Sequence, residues 1–111
     1  MIKIISLLRR KEGMTHEEFV EHWEKVHGPM LRKIPEVRRY VQSHIVKERP
    51  SPVGFIDGEI DGIVELWYDD VETLERVWAS PAVKEIAEDT HRFIGSIKSF
   101  IIDEKTIIPE S

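Results

Sequence analysis

The chain has 111 residues, 41% of them hydrophobic and 33% charged, with 16 Lys and Arg against 21 Asp and Glu, a net charge of -5 and no Cys. A chain of this length builds one core. Its cations are scattered apart from pairs such as Arg9-Arg10 and Arg38-Arg39, so it has no basic footprint for nucleic acid, and without Cys it has no disulfide, thiolate nucleophile or zinc-thiolate centre.

The run IKIISLL at the N-terminus is too short for a signal-peptide core or a membrane span, and the charges Arg9-Arg10-Lys11 follow it rather than precede it. The expectation is a cytoplasmic protein with no membrane partner. Ile2 to Arg9 is aliphatic and β-branched and stops at the turn cluster Lys11-Glu12-Gly13, which predicts a first strand. Thr15 and Glu18 then form a capping box inside a hydrophobic staple of Met14 and Phe19. The helix so started presents Phe19, Trp23, Val26 and Met30 at helical spacing, and Gly28-Pro29 is expected to end or kink it.

Residues 37 to 47 (VRRYVQSHIVK) predict a second strand, with Val41 and Ile45 on one face and Tyr40, Gln42 and His44 on the other. Arg49 to Ile60 has prolines and glycines without periodicity and reads as one long loop, long enough for Phe55 to cover a pocket. DGIVELWY (Asp61 to Tyr68) predicts a third strand. Asp69 and Asp70 are N-cap candidates for a second helix with Val71, Leu74, Val77 and Trp78 inward. Ser80-Pro81 restarts a short helix, and Ile97 to Glu104 is a fourth strand. The order β-α-β-β-α-β is the ferredoxin-like α+β plan, an antiparallel four-stranded sheet with both helices on one face. Residues 1–105 form the one domain and 106–111 a tail.

Two helices cover one face of such a sheet, yet the strands are apolar on both. Ile4 and Leu8 oppose Ile5 and Leu7, Ile63 and Trp67 oppose Val64 and Leu66, and Ile97 and Ile101 oppose Phe100 and Ile102. A wet apolar face of that size is unusual for a monomer, so the expected partner is a second copy across a two-fold axis, unless some of these residues are merely rim positions.

Several stretches together resemble the EthD family: Thr15-His16-Glu17-Glu18-Phe19, Trp23, His27-Gly28-Pro29, Arg39 to His44 (RYVQSH), Asp61 to Tyr68, and Phe93-Ile94. The resemblance runs over about residues 1 to 105. It implies a dimeric α+β barrel in which two ferredoxin-like sheets face each other, with a pocket in each subunit between sheet and helices. Relatives in that superfamily include muconolactone isomerases, polyketide cyclases and dehydratases, cofactor-independent monooxygenases and haem-binding enzymes, so the resemblance implies fold more sharply than chemistry.

The leading candidate for chemistry is His27. Phe19, Trp23 and His27 lie on one helical stripe, which puts the imidazole at the edge of the buried face. There burial disfavours its charged form and the helix C-terminus favours it, leaving a group suited to act as acid or base. The same placement suits a structural histidine capping the helix; the resemblance, in which His-x-Pro is a family signature, adds to the catalytic reading. Tyr40, Gln42 and His44 either form a solvated stripe or line a cavity closed by the covered sheet. Glu65, in a central apolar strand, needs a partner, for which His27, His44 or an arginine could serve, and is either a base or one half of a structural ion pair.

Trp67 and Tyr68 are candidate pocket walls. The catalytic set is therefore His27, Tyr40, His44 and Glu65, and the substrate-binding set Trp23, Gln42, Phe55, Trp67 and Tyr68. His16 and His22 are read as exposed, His91 as structural, and no metal motif is present, His22 and His27 being five apart. The expected activity is cofactor-independent isomerisation, cyclisation or dehydration, or oxidation, of a small aromatic or lactone-like metabolite. The alternative is a binding module without turnover that holds haem or another small molecule.

Overall fold

The computed structural model describes residues 1–111 except Phe55 and Asp57. Its elements in chain order are β1 (Ile2–Arg10), α1 (His16–His22), a π-helical turn (Trp23–His27), α2 (Gly28–Met30), a 3-10 turn (Leu31–Lys33), β2 (Arg39–His44), β3 (Gly62–Tyr68), α3 (Val71–Trp78), a second 3-10 turn (Pro81–Val83), α4 (Lys84–Phe93) and β4 (Ile94–Ile102). The strands make one antiparallel sheet in the order β2-β3-β1-β4. This is the ferredoxin-like α+β arrangement, in which β3 returns between the two strands that α1 connects.

Both helix starts form as their side chains dictate. The Thr15 hydroxyl accepts from the Glu18 amide at 3.1 Å while Glu18 Oε1 accepts from the Thr15 amide at 2.9 Å. Asp70 caps α3 by accepting from the Thr73 amide at 2.7 Å. In each case an orphan N–H of the first turn gains a local oxygen.

The end of the first helix differs from expectation. Gly28-Pro29 does not stop it; the chain passes through a π-helical turn into α2 and leaves only after Lys33. The physical reason lies in Pro29. Inside an α-helix its ring would collide with the carbonyl four residues back, and a π-turn widens the helix where that collision would fall. The same turn rotates the apolar stripe. Residues four apart drift by about 40° per step on an ideal helix of about 3.6 residues per turn, yet Phe19, Trp23, His27 and Leu31 are all buried. One wide turn absorbs the drift, and Val26, expected inside, is turned out to 44% exposure.

Gly28 has a different task from ending a helix. A Cβ on it would lie 2.8 Å from Gln42 Nε2, so its bare backbone makes room for an amide of β2. Gly62, at the start of β3, likewise lies directly beneath the indole of Trp23. Two further boundaries shift: β2 is shorter than the predicted 37–47, and β4 begins at Ile94, without a linker after α4.

The core lies between the helices and one face of the sheet, with Leu8, Val64, Leu66 and Tyr68 from the strands against Phe19, Trp23, Leu74, Val77, Ile86 and Phe93. The register of β1 with β3 and β4 places Ile5, Leu7, Ile63, Glu65, Trp67, Phe100 and Ile102 on the opposite face, away from the helices that build the core. On that face Lys3 Nζ lies 5.1 Å and Arg39 Cζ 4.8 Å from the centre of the Trp67 ring.

Candidate functional site

Between the sheet and the helices is a cavity of about 390 Å³, the size that takes one small organic molecule. Its walls are mostly apolar: Ile4, Leu8, Leu31, Val64, Leu66 and Leu74 line it, with Trp23, Tyr68 and Trp78. Its mouth runs along β4, where Ile97 is 52% exposed, and past Trp78, 41% exposed. His27, Tyr40 and Tyr68 are the buried or half-buried titratable groups of its lining, which also includes His91.

His27 is 8% exposed. Its Nδ1 lies 2.8 Å from Oδ2 of Asp89, a carboxylate of α4 that is itself 1% exposed. An atom facing an ionised carboxylate must carry the proton, so neutral His27 is the Nδ1–H tautomer and Nε2 holds the lone pair. Every fully buried side-chain nitrogen or oxygen among the described residues has a partner. Nε2 of His27 has none among the described residues, so it is not fully buried, and His27 lines the cavity. Burial lowers the His27 pKa, and the hydrogen bond and charge of Asp89 only partly offset this. The imidazole is therefore a neutral acceptor at pH 7.

Asp89 gathers more than one donor. His22 Nε2 reaches its two oxygens at 3.0 and 2.9 Å, and Arg92 Nη1 reaches Oδ1 at 3.2 Å. Burial pushes this carboxyl up, but the hydrogen bonds from His27, His22 and Arg92 outweigh it and hold the group below the usual Asp range. His22 thus corrects its reading as a free surface histidine. Five residues separate His22 and His27, a poor spacing on an α-helix, yet the π-turn between them lets both meet one carboxylate. Asp89 was missed because its partners lie 62 and 67 residues away. One local signal was present: Ile86, Asp89 and Phe93 are the buried stripe of α4, and a carboxylate on an apolar stripe demands a partner.

Across the cavity, Tyr40 is set by its neighbours on β2. Gln42 donates from Nε2 to the Trp23 carbonyl at 2.8 Å and to the Tyr40 hydroxyl at 2.9 Å, and its Oε1 accepts from His44 Nε2 at 2.9 Å. Facing a carbonyl, Nε2 can only be the donor, which settles the amide orientation. The Tyr40 oxygen is an acceptor from behind, so its own proton is left to donate into the cavity. Burial raises the Tyr40 pKa, with Gln42 and Trp23 opposing, so the phenol stays protonated. His44 stacks on Trp23 with ring centres 5.0 Å apart. The polar stripe of β2 therefore faces the chain's own helices, and no second sheet is needed to enclose it.

The remaining candidates separate. Trp23 and Tyr68 are walls of the cavity, and the Tyr68 hydroxyl accepts from Trp78 Nε1 at 2.8 Å, which fastens Trp78 beside the mouth. Glu65 and Trp67 point to the other face of the sheet. The partner of Glu65 is Lys3 at 2.6 Å, not His27, His44 or an arginine, because alternation along β3 sends residues 63, 65 and 67 away from the helices. Phe55 lies outside the described residues. The described loop residues Ile56, Gly58, Glu59 and Ile60 lie beside Leu7 and Ile63 rather than at this cavity. His16, also read as exposed, bonds Asp61 at 2.8 Å.

Comparison with known proteins agrees with this fold. A family model described as EthD domain matches residues 11–97. A protein of Pseudomonas reinekei named 4-carboxymethyl-4-methylbutenolide mutase is 33% identical over 107 residues, spanning 94% of this chain and 98% of that one. The crystal structure of an EthD family protein from Bacillus halodurans superposes with a TM-score of 0.72 at 29% identity, covering 95% of this chain and 99% of the other. A dimeric protein with a ferredoxin-like fold from Bacteroides fragilis shares the fold, with a TM-score of 0.65 at 11% identity over 93% of this chain and 95% of its own.

Proposed function

The chain belongs to the EthD family, and from that premise we propose that it is a small-molecule enzyme that moves a proton within a carbonyl compound without a cofactor, an isomerisation. The observation that carries this reading is the pairing of His27 Nε2, unprotonated and not fully buried beside an apolar cavity, with the free proton of Tyr40. On a butenolide, His27 Nε2 takes a proton from the γ-carbon. Negative charge develops on the carbonyl oxygen, which Tyr40 stabilises by hydrogen bonding, and the imidazolium returns the proton to the α-carbon, moving the ring double bond. Asp89 holds the tautomer and steadies the imidazolium without itself taking the proton. His44 and Gln42 act as positioning residues for Tyr40. The mutase name of the relative from P. reinekei supports the isomerase class.

We read the apolar open face as the seat of a second copy; the ferredoxin-like protein of B. fragilis is itself described as dimeric. Two sheets packed face to face would cover Ile5, Leu7, Trp67 and Phe100. Glu65 and Lys3 would then belong to that interface rather than to catalysis.

The deciding experiment is proton NMR of a γ-methyl butenolide in D2O with the purified protein. Double-bond migration with deuterium gained at the α-carbon is expected, lost in His27→Ala and reduced in Tyr40→Phe. Wild-type protein that binds the lactone yet neither exchanges nor isomerises it overturns the reading.

A further inference from the structure

No Lys or Arg among the described residues lines the cavity. Among the eighteen residues that line it the polar ones are His27, Tyr40, Tyr68, Ser6, Ser99, Thr90 and His91, and neither of the two undescribed residues, Phe55 and Asp57, is basic. The Ser6 and Ser99 hydroxyls bond each other at 2.7 Å and Thr90 Oγ1 donates to the Ile86 carbonyl at 3.0 Å. That leaves Tyr40 as a donor and His27 as an acceptor facing the space, together with the hydroxyl of Tyr68, which accepts from Trp78, and His91; none of the four is a Lys or Arg.

The described cations lie elsewhere. Lys3 and Arg39 flank Trp67 on the far face of the sheet, Arg10 is tied to Glu59 and Asp61, and Arg38 to Asp69. Arg92, mostly exposed, is bonded to Asp89, Lys11 Nζ donates to the His91 carbonyl at 3.0 Å, and Arg32, Arg38 and Arg39 line a separate pocket that shares Leu31 and Tyr40 with the cavity. The carboxylate adjoining the site, Asp89, already takes up Arg92 at 3.2 Å, so that cation is not free for a ligand. A carboxylate drawn into such a space would give up its water with no cation to replace it.

We infer that the cavity of this chain takes an uncharged carbonyl ligand, a lactone or cyclic enone without a carboxylate arm, and discriminates against the anionic form of the same skeleton. The inference rests on the proposed function for the carbonyl but stands apart from it on charge. It sets this chain's ligand apart from a carboxymethyl butenolide. It also gives Tyr40 and His27 a second task, since together they read a carbonyl acceptor and the acidic C–H beside it.

The test is isothermal titration calorimetry at pH 7.5 with two probes, a γ-carboxymethyl butenolide as its carboxylate and the methyl ester of the same compound. The ester is expected to bind at least about tenfold tighter, because burying an unpaired carboxylate costs more than one tenfold step. Ile97→Arg, at the exposed part of the lining, is expected to shift the preference toward the carboxylate by roughly tenfold. Equal affinities, a tighter carboxylate, or no binding of either probe at millimolar concentration would each overturn the inference. His27→Ala separates the two readings: it removes isomerisation if the proposed function holds, while the ester preference persists. A protein that selects the ester but never moves a proton would discard the function and keep the ligand class.

Discussion

Two aspartates of this chain are almost fully buried, and each holds a histidine of the first helix. Asp61 is 0% exposed and accepts from the Arg10 amide at 2.7 Å, from Arg10 Nη1 at 2.7 Å and from His16 at 2.8 Å. Asp89 is 1% exposed and accepts from His27, His22 and Arg92. Side by side, the carboxylates look equivalent, and burial pushes both up while their donors hold both below the usual Asp range. The difference lies in what stands behind the imidazole. His16 is at the protein surface beside the long loop, so its Asp pair ties the return of that loop to β1 and the start of α1. His27 has an apolar cavity behind it, so the same pair there sets the tautomer of a base. A buried His–Asp pair is thus neither structural nor chemical in itself; access to the second ring nitrogen separates the two uses.

The sharpest way to break this comparison is to exchange outcomes between the two ends. His27→Ala is expected to lower the isomerisation rate by roughly 10²- to 10⁴-fold, the usual worth of a general base, while His16→Ala leaves the rate within about twofold of wild type because His16 is not at the cavity. Steady-state kinetics on the two variants reads this directly, and equal losses would erase the distinction.

Asp61→Ala is expected to cost about 1–3 kcal/mol in chemical denaturation, since it leaves the Arg10 amide without its acceptor and takes the shared partner from the half-buried Arg10 and His16 side chains. Asp89→Asn should instead show mainly in kinetics, a fall of about 10- to 100-fold as the tautomer of His27 loses its anchor. Its acid limb should move to lower pH, because the charge that raises the His27 pKa is gone.

The pH dependence of the wild type follows from the same groups. The unfolded chain takes up a proton on His27 near pH 6.5, and the folded chain does so only at lower pH. Stability contributed by this residue is therefore whole above pH 6.5 and falls as the pH drops through that value toward the folded pKa. Asp61 and Asp89 add a second loss below pH 3.8, where the unfolded carboxyls protonate first. Thermal melts between pH 8 and 3 should show both, and His27→Gln should flatten the upper step alone. The smallest effect belongs to the open face. Breaking the Lys3–Glu65 pair with Glu65→Gln should leave kcat within about twofold, as an ion pair outside the cavity does, whereas light scattering should report whether Trp67→Asp dissociates the proposed dimer.

Much of the architecture was legible because its causes are local. The capping box at Thr15 and Glu18, the Asp70 cap and the alternation of β1 and β3 each depend on residues a few positions apart, and the helix starts and sheet faces came out as read. The extent of the first helix was not legible. Pro29 signals a break, and only the fit of Leu31 into the core and of Gln42 over Gly28 shows why a wide turn is preferable to a stop. The site was half visible. The placing of His27 on the stripe with Phe19 and Trp23 follows from spacing. Asp89 and the true company of Glu65 do not, since both pairings join elements distant in sequence.

What the sequence by itself determined was the order of elements, the helix starts and the two apolar faces of the sheet, because capping and the periods of helix and strand are written in neighbouring residues. What only the tertiary structure decided was which polar groups share a space. It put His27, Tyr40 and Asp89 on the helix side of the sheet and Glu65 on the other, because strand register and the π-turn are set by the packing of the whole chain, and a slip of one residue in either would reverse the assignment.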